Sequence, residues 1–332
     1  MKLHAIVLAV AASLAIAAPA HAQQPIVIKF SHVVAVDTPK GKAAEYFKKL
    51  AEERTKGRVK VEVFPNSSLF KDGEEMEALQ LGSVQMLAPS LAKFGPLGVR
   101  EFEVFDLPYV FDNFEELHKV TEGPVGAALF KKLESKGLIG LAYWDNGFKV
   151  MSANKPIRVP ADYKGLKMRI QSSKVLGDEI KALGAIPQVM AFSEVYQALQ
   201  TGVVDGTENP PSNFYTQKMQ EVQKYLALTD HGVIEYAVIV NKKFWDGLPA
   251  DIRTTLQGAM NDATKYANGI AKKDNDDALE AVRKSGKTEI LTLTPEQKAA
   301  MKKALVTVHK ENESRVGKDT LAAVYKETGF KP

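Results

Sequence analysis

A lone arginine in an apolar, strand-like run is the residue of this chain best suited to chemistry. In KGLKMRIQSS, alternation puts Lys167 and Arg169 on one face and Met168 with Ile170 on the other. A guanidinium is planar, presents forked N–H donors and keeps its charge at any ordinary pH, so near a sheet end it suits a carboxylate gripped by two bonds. Ser172 and Ser173 follow as candidate caps of a helix whose free N–H groups would also favour an anion. A surface arginine on a strand edge is the competing reading.

Other polar residues fall at comparable places. Asn209, in VVDGTENPP, follows the turn Asp205-Gly206 and precedes Pro210-Pro211; its amide can donate to a ligand oxygen while accepting from the protein, or simply bond its own backbone. Lys149, in GFKVMS, offers a second positive charge to a ligand with two carboxylates, with a solvated strand lysine as the alternative. Ser31 and His32 end the first strand, where α/β clefts collect ligands, although a buried structural histidine fits equally. Ser90 and Lys93 stand beyond a later strand in a similar position.

The elements that must hold these residues come in two copies. EEMEALQLGSVQML and EVYQALQTGVVDGT lie about 120 residues apart, and both read as helix, turn and strand. Gly82 and Gly202 fall where each amphipathic helix ends, because a residue without a Cβ takes the left-handed cap without steric cost. Two such units imply two α/β lobes with a cleft between them, and a cleft can hold a small ligand.

Around these copies the pattern is α/β throughout. PIVIKFS and VKVEVF alternate as strands on either side of a helix over Thr38–Gly57, and a second helix spans Asp72–Leu81. Gly140–Trp144, Phe148–Ser152 and Gly165–Gln171 read as successive strands, and YAVIVN (Tyr236–Asn241) as a buried one. The longest helical pattern runs from Pro249 to about Lys284, roughly 50 Å at 1.5 Å per residue, enough to cross both lobes. Thr294-Pro295-Glu296-Gln297 resembles a capping box. The N-terminus, with Lys2, an apolar stretch and Ala20-His21-Ala22, reads as an export signal over 1–22. The expected lobes are 23–146 plus 235–274 and 147–234 plus 275–332.

Composition and motifs exclude several classes. A formal net charge of +4 is too mild to indicate nucleic acid, and zero Cys rules out disulfides, thiolate nucleophiles and Cys-ligated metals. Ser285-Gly286-Lys287-Thr288 mimics the end of a phosphate loop, yet position 281 is Ala and a helix precedes it where a strand should. There is no HExxH and no GxSxG. The acids Glu74, Glu75 and Glu77, and Asp274, Asp276 and Asp277, read as solvated helix faces.

The segment VMAFSEVYQALQTGVVDGTENPPSNFYTQKMQEVQKYL resembles the solute-binding proteins of TRAP transporters, closest to their C4-dicarboxylate-binding (DctP) type. KFSHV, LPYVF, KGLKMRIQSS and NKKFWDGLP extend the resemblance over nearly all of the chain after the signal. It implies a two-lobed periplasmic binding protein fold with a long helix spanning both lobes. It also implies a non-catalytic, cofactor-free receptor that delivers a small carboxylate to a membrane permease of a small and a large subunit. The resemblance places the carboxylate on Arg169 and Asn209. Lys149 stands where the family often has Arg, keeping the charge without the fork, and His32, Ser90, Lys93 and Phe192 are assigned to the cleft. Another organic acid (a 2-oxo acid, sialic acid or a uronate), a ligand-presenting sensor subunit and a periplasmic enzyme remain the alternatives.

Overall fold

The repeated helix-turn-strand unit builds the cleft edge of two separate sheets. The computed structural model describes residues 24–332, so the proposed export signal lies outside the described residues. Eleven strands form: β1 (Ile26–Ser31), β2 (Val59–Phe64), β3 (Met86–Leu87), β4 (Leu138–Phe148), β5 (Val150–Ala153), β6 (Lys167–Ile170), β7 (Ile186–Val189), β8 (Gly206–Asn209), β9 (Tyr225–Leu228), β10 (Val233–Asn241) and β11 (Glu289–Thr292). The first sheet has the order β2-β1-β3-β10-β4, and the second β11-β9-β5-β8-β6-β7. In each, a strand is flanked by two parallel neighbours, β2 and β3 around β1, β7 and β8 around β6. An antiparallel strand follows, β10 beside β3 and β5 beside β8. Arg169 on β6 therefore occupies in the second lobe the place that the end of β1 occupies in the first.

The repeats enter these sheets through their glycines. Gly82 and Gly202 take φ of 80° and 74°, and Val84 and Val204 then bury their side chains in the two lobes. Before β3 runs alongside β1, the Gln85 N–H donates to Lys29 O at 3.1 Å; before β8 runs alongside β6, the Asp205 N–H donates to Lys167 O at 2.7 Å. Gly206 opens β8 against a close neighbour: a Cβ there would lie 2.1 Å from Ser152 O and 2.8 Å from the Met168 sulfur. Gly206→Ala is expected to cost about 1–3 kcal/mol through overpacking, read as a lower urea midpoint at unchanged slope.

Sheet membership changes at two crossovers. The expected strand Gly140–Trp144 is the middle of a longer one, β4, which continues through Asp145-Asn146-Gly147 to Phe148 with two irregularities of register against β10. Those polar residues stay in the strand because the long helix satisfies them. Asn268 Oδ1 accepts from the Asp145 N–H at 3.0 Å, and Asn275 donates to Asn146 O at 2.6 Å. Lys149 alone separates β4 from β5, and its N–H donates to Gly232 O in the other crossover at 2.8 Å. The expected divisions at 146/147 and 234/235 thus fall inside β4 and β10.

The helix expected from Pro249 runs Ala250–Ser285 without a break, ending at Gly286 in the left-handed region. Leu256, Met260 and Ala263 pack with Phe30 and Phe47 of the first lobe, while Val282 packs with Val150, Val195 and Phe214 of the second. The helix Pro295–Leu305, opened by the Thr294–Gln297 capping box, places Met301 and Leu305 in the second lobe's core. The helices Thr307–Val316 and Lys318–Thr328 were expected with that lobe as well, but they return to the first. Val308, Val316, Leu321 and Val324 cover Phe102, Leu117 and Val120, and Arg315 Nη2 donates to Glu103 Oε1 at 2.7 Å. Among the described residues no helix is long and apolar enough to cross a membrane.

Candidate functional site

A small cavity, with room for about 20 Å³, lies between the lobes and collects side chains from both. Val33, Val34, Lys40, Asp72, Ser90 and Lys93 line it from the first lobe, and Arg169, Gln171, Phe192, Asn209 and Asn213 from the second; Ile234 and Tyr236 complete it. A larger groove between Tyr109, Phe114, Phe148 and Lys298 opens to solvent, and its lysines Lys272, Lys298 and Lys302 lie on exposed or half-exposed helix faces. The smaller cavity has the buried, fixed charge that orients an anion.

Arg169 is 2% exposed. Its Nε and Nη2 donate to Met190 O at 3.2 and 3.0 Å, and its guanidinium carbon stands 5.5 Å from the centre of the Phe192 ring. These contacts fix the plane of the fork and use one edge, leaving the Nη1 side for a ligand. Burial lowers its pKa, the charges of Asp72 and Glu208 opposing, but an arginine remains a cation across the ordinary pH range. Asn209, at the end of β8, is buried and donates to Thr207 Oγ1 at 3.4 Å. Ser90, Lys93 and Phe192 line the same cavity as Arg169 and Asn209.

Asp72 ties the two lobes together here. It pairs with Lys93, accepts from the Phe192 N–H at 2.5 Å across the cleft, and feels Arg169. Burial pushes its carboxyl up, but Lys93 and then Arg169 outweigh this and hold it near about 2. Lys93 also binds Glu75 at 2.6 Å. Glu75, expected on a solvated face, is buried because Lys93 gives it a partner inside the protein. Periodicity alone does not reveal that partner.

Lys149 and His32 are not among the residues that line the cavity. The expectation that Lys149 stands free for a second carboxylate is corrected by its partner. Its ammonium bonds Glu208 Oε2 at 2.6 Å, both side chains being fully buried, one residue before Asn209. His231 Nε2 lies 3.0 Å from the same oxygen, and Thr229 Oγ1 2.7 Å from His231 Nδ1. Atoms of Glu179, Glu208 and His231 come within 4.8 Å of one another, a spacing that could hold a metal, but the Lys149 ammonium already provides the cation. His32 is buried beside Lys40; burial first, then that charge, lower it to about 3, so it is a neutral imidazole.

Sequence reasoning missed Lys40 and Asp72. Lys40 carried a signal: it is the second residue of the helix Pro39–Arg54, at the end where the helix dipole disfavours a cation. Asp72 carried none, since its partners are Lys93 and the distant backbone of Phe192.

Comparison with known proteins bears on this geometry. Residues 30–315 match the family DctP, described as bacterial extracellular solute-binding protein, family 7. The C4-dicarboxylate-binding periplasmic protein DctP of Rhodobacter capsulatus is 66% identical over 322 residues, covering 97% of this chain and 96% of the relative. A TRAP periplasmic solute-binding protein from Sulfurospirillum deleyianum, solved with bound succinate, superposes with a TM-score of 0.88 at 48% identity, over 90% of this chain and 98% of that one. One from Pseudomonas aeruginosa with bound L-malate has a TM-score of 0.84 at 44% identity, over 86% and 100%. A buried arginine at a cavity between two lobes and a match over most of the chain lead to one assignment: this chain belongs to the DctP family of extracellular solute-binding proteins.

Proposed function

We propose that this chain is the periplasmic solute-binding protein of a TRAP transporter, that it binds a C4-dicarboxylate such as succinate, malate or fumarate, and that it delivers this ligand to a membrane permease of a small and a large subunit. The observation that carries the reading is Arg169, buried at the second lobe's cleft edge with one edge of its fork committed to Met190 O and the other free. A carboxylate accepts two parallel bonds from that free edge, and Asn209 stands beside it to donate a third. Relatives bound to succinate and to L-malate support the same class.

Binding is coupled to closure in this reading. Contacts to the ligand from both lobes exist together only when the cleft is shut, so ligand selects the closed form. The short crossovers at Lys149 and at Thr229–Gly232, with the long helix, absorb the change between open and closed forms. The ligand leaves chemically unchanged, because the role is transport and not catalysis.

A thermal-shift series checks the class. At a hundredfold excess over its dissociation constant a ligand adds about 2.7 kcal/mol, a rise of several degrees for a chain of this size. Succinate, L-malate and fumarate are expected to raise the melting temperature. A rise with galacturonate and none with the diacids would move the assignment to sugar acids.

A further inference from the structure

Lys40 is a buried cation with no carboxylate in direct contact, as Arg169 is on the other wall of the same cavity. Its side chain is 1% exposed; its ammonium donates to Ala88 O at 2.8 Å and stands 3.6 Å from the centre of the Tyr236 ring. A carbonyl and a ring face stabilise a cation but do not neutralise it. Among the described residues Lys40 forms no ion pair, whereas Lys93 has both Asp72 and Glu75. Its place in the first turn of a helix adds the positive end of the dipole, so its charge rests on that carbonyl, that ring and the carboxylates of Glu75 and Asp72, which Lys93 already engages. A buried ammonium of this kind is expensive unless an anion arrives.

Lys40 and Arg169 line the same cavity from opposite lobes. We propose that Lys40 receives the second carboxylate of the ligand from the first lobe, while Arg169 holds the first carboxylate from the second lobe. This rests on the dicarboxylate reading above and makes Lys40 the residue that separates two-headed from one-headed acids. The ligand then bridges the lobes by its two charged ends, and closure depends on both.

A proton follows from the same geometry. The groups facing Lys40 are Lys93, Glu75 and Asp72, the imidazole of His32 and the phenol of Tyr236. Burial above all, then the charge of Lys93, lowers Lys40 to about 7, with Glu75 and Asp72 opposing. His32, lowered to about 3, and Tyr236, raised by burial, are both neutral near that pH. A carboxylate beside Lys40 favours its charged form, so the bound state has the higher pKa. Binding then takes up a proton above pH 7. Succinate affinity is fullest below about pH 7, where Lys40 is already charged, and falls as pH rises beyond it.

Isothermal titration of the full chain and of Lys40→Met with succinate and monomethyl succinate, at pH 8 in two buffers of different protonation enthalpy, tests this. The wild type is expected to prefer succinate and to take up a proton on binding it. Lys40→Met is expected to bind succinate at least roughly tenfold more weakly, to lose the proton uptake and to lose most of that preference. The uptake needs no variant, so poor folding of Lys40→Met leaves that measurement standing. Wild-type affinity and preference in Lys40→Met, or no proton uptake by the wild type, would overturn the role of Lys40 alone. A wild type that binds no diacid would overturn the dicarboxylate reading and this assignment with it.

Discussion

Replacing Arg169 by Ala should weaken succinate binding by about 2–5 kcal/mol, because the ligand carboxylate would enter a closed, desolvated cavity and find no fork to meet it. The size of the loss comes from burial. At a rim the same pair would be worth little, since water would replace either partner, but Arg169 is 2% exposed and its plane is fixed by Met190 O and Phe192. Arg169→Lys should recover only part of the affinity, for a point charge cannot make two parallel bonds. The substitution also leaves Met190 O without its donor, so both variants need a thermal unfolding curve alongside the titration. A folded Arg169→Ala chain that binds succinate as tightly as the wild type would remove the arginine from the site and leave the family assignment intact.

The legible part of the fold was the local part. Gly82 and Gly202 announce two helix ends because left-handed backbone favours glycine, and both helices end there or one residue before. Thr294 and Gln297 are three residues apart and bond each other's backbone, so the cap could be read from the chain alone. The long helix was legible from its period and needed only its two ends corrected by one residue. The partners of buried charges were not legible. Lys149 meets Glu208 from 59 residues away, and the run GFKVMS looks the same whether its lysine points into water or into a carboxylate. Lys93 and Glu75 meet through the fold of the first lobe, so an acid at helical spacing passed for a surface residue. The C-terminal helices fall in the other lobe for a similar reason: their apolar stripes fit either lobe, and only Phe102 and Leu117, fully buried beneath them, decide which. Arg169 itself was found because its neighbours on the strand are apolar, which makes a cation there anomalous.

The other large effect lies behind the cleft, at the Lys149–Glu208 pair. Both side chains are 1% exposed, and the pair joins the first crossover to the strand that presents Asn209. Lys149→Met keeps most of the apolar stem but leaves Glu208 buried with no ammonium, next to Glu179 and Asp106, whose carboxyls burial already pushes up to about 8. Breaking such a pair from one side is expected to cost about 3–5 kcal/mol, and Lys149→Met with Glu208→Gln should recover much of it, because no charge is then stranded. The pH dependence has a definite sign. Against its burial, Lys149 and His231 hold Glu208 near about 2, below its unfolded value, so its contribution is present above about pH 4.5 and is lost as pH falls through about 2. Glu179 and Asp106 act in the opposite sense: their raised values give stability that is full below about pH 4 and lost as pH rises through about 8. Between pH 5 and 8 these two carboxyls therefore contribute a loss of stability as pH rises. Without the Lys149 charge, which lowers both of these carboxyls, Lys149→Met should lose it over a wider range. Urea denaturation of the three chains at pH 5, 7 and 9 measures this. A single variant as stable as the wild type at every pH would mean that Lys149 reaches water in solution, and the crossover would then lack the anchor that holds Asn209 in the cleft.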